Sequence, residues 1–204
     1  MVERMETKKI LEKVRLSGIS YEKFLSDFEN EITTTEISTL NEKELELFNY
    51  KKLNLQRTSR IHKTYKPSEK LSSLIKSINE NQVWMILTEN WCGDSAQNIP
   101  YIYELSKLNP KIELKILYRD RNLDIMDQYL TNGKSRSIPK LVVFNDFAEE
   151  LFQWGPRPAE LIEQIEIWKS DGMNKDEYIK LIHLWYSQNR AKSLESELIG
   201  LLKS

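Results

Sequence analysis

Val83-Trp84-Met85-Ile86-Leu87-Thr88-Glu89-Asn90-Trp91-Cys92-Gly93-Asp94-Ser95-Ala96-Gln97-Asn98-Ile99-Pro100-Tyr101-Ile102 is the stretch that decides the fold. Val83 to Leu87 is an unbroken apolar run of strand length, as suits a strand buried on both faces. After a short polar link and Trp91-Cys92-Gly93, apolar residues recur at helical spacing through Ile99, Ile102, Tyr103, Leu105 and Leu108, until Asn109-Pro110 ends them. Cys92 is therefore expected at a strand-to-helix turn. There, free backbone N–H groups and the positive end of the helix dipole favour thiolate, the reactive form.

Working outward, Ile138-Pro139 precedes the apolar strand 140–144, and Pro139 follows Cys92 by 47 residues. Trp154-Gly155 closes the next strand, 150–154. Taken together, these features resemble the thioredoxin family, whose signature is Trp-Cys-Gly-Pro-Cys after a buried strand and a cis-proline loop downstream. The resemblance spans roughly residues 68–170. It implies a thioredoxin-like α/β fold, a mixed central sheet flanked by helices, with a cis bond before Pro139 and with Gly155 beside the substrate groove. Asp94 stands where the family has proline, and Ser95 where it has the resolving cysteine. Aligned the same way, the family's buried acid falls on Ile86 and the neighbouring lysine on Ile116. With no second thiol to activate, a buried charge there would only carry its desolvation cost. Glu89, the nearest remaining acid, belongs to the link.

The chain reads as three parts: a helical N-terminal extension over 1–66, the thioredoxin-like domain over 67–170 and a helical C-terminal extension over 171–204. In the first, Ile10, Leu11, Val14 and Leu16 form one apolar face. Ser20 caps a helix carrying Tyr21, Phe24, Leu25 and Phe28. Asn41 with Glu44 forms a capping box opening a helix that turns Leu45, Phe48, Leu53 and Leu55 inward. The family's first strand is expected somewhere before Ser68. Lys51, Lys52, Arg57, Arg60, Lys63, Lys66 and Lys70 read as a solvated helix face, with an anion-binding patch as the alternative, and His62 among them as a surface histidine. Within the domain, 122–130 reads as a helix, and Leu161, Ile162, Ile165 and Trp168 face inward on the last core helix. Past Asp171-Gly172, Asn174 and Glu177 form a second capping box. The stripes that follow, Tyr178, Leu181, Ile182 and Trp185, then Leu194 and Leu198, cover the core or, in the sharper alternative, form a homodimer surface.

Composition narrows the function. Net charge is −1 with 30% charged residues, so no field favours nucleic acid or an anionic membrane. No apolar run reaches membrane-spanning length, and residues 1–16 are too charged for a signal peptide, so a cytoplasmic location is expected. One cysteine excludes an intrachain disulfide, and two distant histidines leave no metal site.

The bland reading of a lone cysteine is a small buried hydrophobe. The motif and the proline loop favour instead an exposed, reactive Cys92 thiol, with Ser95 donating a hydrogen bond to its thiolate and Asp94 both steadying the helix and opposing a second anion. Trp91 either caps the turn or touches substrate. Gly93 shapes the turn, and Ile138, Pro139 and Gly155 form the docking groove, where an extended polypeptide can pair with Ile138. The leading function is monothiol thiol–disulfide oxidoreduction: Cys92 attacks a protein or small-molecule disulfide and an external thiol such as glutathione resolves it, with no bound cofactor. The alternative is a non-catalytic protein-binding module of the same fold.

Overall fold

The structure is a computed structural model that describes residues 5–203; Met1–Arg4 and Ser204, the tips of the two expected extensions, lie outside it. Among the described residues, four strands form one sheet of order β2-β1-β3-β4, with β1 Gln82–Thr88, β2 Ile112–Tyr118, β3 Lys140–Asn145 and β4 Glu150–Trp154. β1 runs parallel to β2 and antiparallel to β3, and β3–β4 is antiparallel. This is the thioredoxin-like α/β arrangement, with helical extensions at both ends.

β1 is central, which is why Val83–Leu87 is apolar without alternation: both faces are covered. Val83, Met85 and Leu87 pack with Ile10, Leu11 and Val14 of α1 (Thr7–Ser17). Trp84 and Ile86 face the opposite core, shared with α4 (Glu69–Lys76), α5 (Gly93–Ser106) and α9 (Lys192–Leu201). Ile86 and Ile116 are direct partners in the β1–β2 register and both are fully buried. Two aliphatic side chains thus meet where the resemblance put the family's acid and lysine.

Helix starts follow the capping chemistry. Ser20 accepts from the Lys23 N–H at the head of α2 (Tyr21–Thr34), and Ser68 from the Leu71 N–H at the head of α4. Asn41/Glu44 and Asn174/Glu177 form complete capping boxes on α3 (Glu42–Thr64) and α8 (Lys175–Asn189).

Several expectations are corrected. Among the described residues no strand precedes Ser68. Instead Ile19, between α1 and α2, makes a single antiparallel bridge to Ile116, which covers the outer edge of β2 without a full ladder. Leu16 is 88% exposed, because α1 ends one residue later and only Ile10, Leu11 and Val14 reach the sheet. The buried face of α3 is Phe48, Asn54, Thr58 and Ile61 while Leu53 is exposed: Asn54 turns inward because it donates to the Asn90 carbonyl in the link ahead of α5. The helix expected over 122–130 shortens to α6 (Leu123–Met126). In α7 (Ala159–Ser170), Leu161 and Ile165 are buried but Ile162 is exposed. His62 is held between the Tyr21 hydroxyl (2.9 Å) and the Glu104 carboxylate (2.8 Å) rather than lying free on the surface.

The C-terminal stripe is partly core. Ile182 and Tyr186 of α8 pack on Leu161 and Ile165 of α7, while Leu194 and Leu198 of α9 enter the main core. Among the described residues no helix is long and apolar enough to cross a membrane.

Candidate functional site

β1 delivers the chain to a turn at which Cys92 is the N-cap residue of α5. Across from it, β3 is entered through a cis Ile138–Pro139 bond, the isomer that the resemblance implied. The Cys92 thiol donates to the Ile138 carbonyl at 3.3 Å. Gly155 adopts φ +113, and a Cβ there would collide with the Pro139 carbonyl oxygen, so glycine is required where the end of β4 crosses the proline loop.

The expected exposed thiol is not found. Cys92 is only 8% exposed, and burial, followed by the neighbouring Asp94 charge, pushes its pKa above the ordinary thiol value. The Ser95 side chain and the amides of Ser95 and Asp94 pull the other way by hydrogen-bonding the sulfur, without reversing the shift. Ser95, itself buried, also accepts from the Thr88 hydroxyl at 2.7 Å, which fixes it beneath the sulfur. Glu89 takes no part: its carboxylate accepts from the Asp120 N–H at 2.9 Å.

Cys92 packs in the α1-side core, and the helical extensions add walls above it. They turn the region above Cys92 into a chamber of about 380 Å³, walled by Trp91, Gly93, Ser137, Ile138, Pro156 and Arg157 from the sheet domain, Tyr50 from α3, and Lys175, Ile179, Ile182 and His183 from α8. Tyr50 and His183 meet across it, hydroxyl to Nε2, at 3.3 Å. Gly93 admits them: a Cβ at that position would strike the Tyr50 hydroxyl and lie 3.2 Å from His183 Cε1. Trp91 meets both of its readings, being packed against the α1-side core, covered by the Arg119 guanidinium 5.0 Å from its ring, and part of the chamber wall. Pro139 and Gly155 support the wall from behind and do not line the chamber.

Asp94 is the latch. Its carboxylate pairs with Arg157 Nη2 at 2.6 Å and accepts from the Tyr186 hydroxyl at 2.8 Å; that hydroxyl in turn accepts from Asn98 Nδ2 at 3.0 Å. Burial lowers the Arg157 pKa, but Asp94 more than restores it, so the cation is secure. Asp94, expected to contact substrate, lines the chamber and has both carboxylate oxygens engaged, one by Arg157 and one by Tyr186 of α8. His183 is neutral at pH 7: burial, then the Arg57 and Arg157 charges, lower its pKa to about 4. Arg157 Nε and His183 Nδ1 are buried without a hydrogen-bond partner, leaving two polar atoms unmatched beside the chamber.

Tyr50, Arg157, His183 and Tyr186 were not foreseen from the sequence. Arg157 had one available signal, its place between Pro156 and Pro158 directly after the groove glycine. The other three come from helices whose sequence patterns report only their apolar faces.

A buried parallel pair joined to an antiparallel hairpin, a cysteine at the N-cap after the central strand and a cis-proline facing it define a thioredoxin-fold protein. The thioredoxin family profile matches residues 41–171, well over half of the 204-residue chain, and the protein belongs to that family. The matched span begins at the cap of α3, which supplies Tyr50. Two solved structures share the fold. A Pseudomonas aeruginosa protein of unknown function is 15% identical with a TM-score of 0.60, over 92% of this chain and 93% of its own. An HIV epitope-scaffold protein is 14% identical with a TM-score of 0.58, over 91% and 98%. No curated protein matches the chain.

Proposed function

We propose that the protein is a monothiol thiol–disulfide exchange centre for small disulfides, with Cys92 as its reacting group. The observation that carries this reading is the chamber of about 380 Å³ with the only cysteine of the chain in its wall. A volume of that order suits a small molecule. Ile138 is 6% exposed under the chamber, which leaves little room for an extended polypeptide to pair with it.

The chemistry has two balanced steps. Cys92 loses its proton to solvent, and the thiolate attacks one sulfur of a disulfide, forming a Cys92 mixed disulfide and expelling the other half as a thiolate. An external thiolate such as glutathione then attacks the mixed disulfide and returns Cys92. Ser95 and the amides of Asp94 and Ser95 steady the anion during both steps. Arg157 offsets the charge of Asp94, which would otherwise oppose the thiolate more strongly. The raised thiol pKa makes exchange slow at neutral pH and faster as pH rises.

The test is intact-mass measurement after incubation with glutathione disulfide. The reading predicts one glutathione adduct, absent from Cys92→Ser and removed by added thiol. No adduct even at alkaline pH would overturn it. The burial of the thiol favours a second reading, a non-catalytic binding module. In that case Cys92→Ser retains every partner that the wild type holds, whereas a covalent exchanger loses them.

A further inference from the structure

A second cavity, of about 560 Å³, opens between α3, α5 and the corner joining α8 to α9. Its floor is aromatic: Tyr101 and Tyr186 are 9% and 6% exposed, and Tyr65 stands edge-on to Tyr101 at 4.6 Å. Its rim is cationic. Arg60 comes from the last turns of α3, Lys66 from the segment just after it, and Arg190 from the C-cap of α8, where a left-handed backbone (φ 49) turns the chain toward α9.

Two other cations of the basic stretch are already engaged. Lys51 is paired with Glu31 at 2.6 Å, and Arg57 donates to Asn54 at 2.9 Å. Among the described residues, Arg60, Lys66 and Arg190 have no carboxylate in ion-pair range; Arg190 makes only a 3.4 Å contact from Nε to the Ser187 carbonyl. Glu195, the acid behind the floor, is occupied by the Tyr65 hydroxyl at 2.7 Å and the Ser68 amide. Burial raises the pKa of Tyr101, while Arg60 and Arg190 both lower it, so the two guanidinium groups act on the same hydroxyl although 130 residues separate them.

We infer that this cavity binds a phosphate-bearing small molecule, its phosphate clamped by Arg60, Lys66 and Arg190 and its uncharged body resting on Tyr101 and Tyr186. Three cations converging on one cavity favour a ligand carrying more than one negative charge, and two planar guanidinium forks match a tetrahedral oxyanion bidentately. A cavity of this volume, with an aromatic floor and a cationic rim, can take a small molecule that carries an anionic group. The inference stands on its own observations and is independent of the Cys92 reading.

The experiment is calorimetric titration of the full chain with inorganic pyrophosphate. One saturable site is expected in the millimolar range or tighter, weaker at higher salt. Arg60→Gln/Arg190→Gln is expected to weaken it by at least about tenfold. Lys52→Gln/Lys63→Gln removes the same charge from exposed positions of α3 outside the cavity and should change affinity by less than about twofold. Arg190→Gln alone, a single exposed change, guards against a double variant that fails to fold and should weaken binding by about threefold. Succinate, a dianion without the phosphate geometry, should bind more weakly than pyrophosphate. Absence of saturation in the wild type, equal losses in the two double charge variants, unchanged binding in Arg190→Gln, or succinate binding as well as pyrophosphate would each overturn the inference.

Discussion

Tyr186→Phe isolates the latch that holds α8 over Cys92. The substitution keeps the ring and its packing but removes a buried hydroxyl that donates to Asp94 Oδ1 at 2.8 Å and accepts from Asn98 at 3.0 Å. A hydrogen bond to a charged group is worth about 1.5–3 kcal/mol, and the Asn98 amide loses one partner but keeps the Asp94 carbonyl at 2.8 Å. About 2 kcal/mol is therefore the expected loss. The unfolding entropy of a 204-residue chain is about 0.4 kcal/mol/K, so melting should fall by about 5 °C. Tyr178→Phe on the same helix, outside the latch, should shift melting by less than about 1 °C. Because α8 walls the chamber, Tyr186→Phe should also speed alkylation of Cys92 at fixed pH. Scanning calorimetry and timed mass spectrometry read the two effects. A variant that melts within about 1 °C of wild type and alkylates at the wild-type rate refutes the latch.

Other outcomes follow from the same geometry. Gly155→Ala combines a forbidden φ of +113 with a collision against the Pro139 carbonyl oxygen, and should cost about 3 kcal/mol or more. Gly172→Ala, at φ +81 in open space, should cost about 1 kcal/mol; equal losses in urea melts contradict the close approach at Gly155. Ile86→Asp places an unpaired carboxylate against Ile116 and should cost about 4 kcal/mol or prevent folding, against about 1 kcal/mol for Ile86→Val; a stable, soluble Ile86→Asp protein would show that this core tolerates the family's acid without its lysine. His183 has a pKa of about 4 when folded and 6.5 ordinarily. The unfolded chain takes up the proton first, so this contribution is complete above about pH 6.5 and is lost as pH falls toward about 4. Denaturant unfolding at neutral and mildly acidic pH should show wild type losing more stability than His183→Gln, and equal losses contradict the assignment.

The sequence made the frame legible because its physics is local. A strand buried on both faces shows as an unbroken apolar run, helix starts show as capping residues, and Cys92 at a strand-to-helix turn follows from the two. The cis-proline and the Ile86–Ile116 pair came through the resemblance, and the backbone and register carry both. What escaped depends on tertiary placement. Cys92 is buried in the α1-side core and against Ile138, while Tyr50 and His183, 133 residues apart, meet above Gly93 beside it. Asp94 lines the chamber, but its ties to Arg157 and Tyr186 could not be read, because those partners come from elements whose apolar periodicity says nothing about their polar faces. The first strand expected from the resemblance is a different case: among the described residues, one bridge at Ile19 serves the β2 edge in place of a ladder.

The most direct measurement is the pH dependence of Cys92 alkylation by iodoacetamide, in the native protein and in the guanidinium-unfolded chain. With a single cysteine, every adduct reports this site. A thiol closed in by α3 and α8 beside Asp94 should titrate at a higher pH in the native protein than in the unfolded chain, and react more slowly at every pH below that midpoint. A native midpoint at or below the unfolded one would contradict the closed chamber and return Cys92 to an open, activated groove.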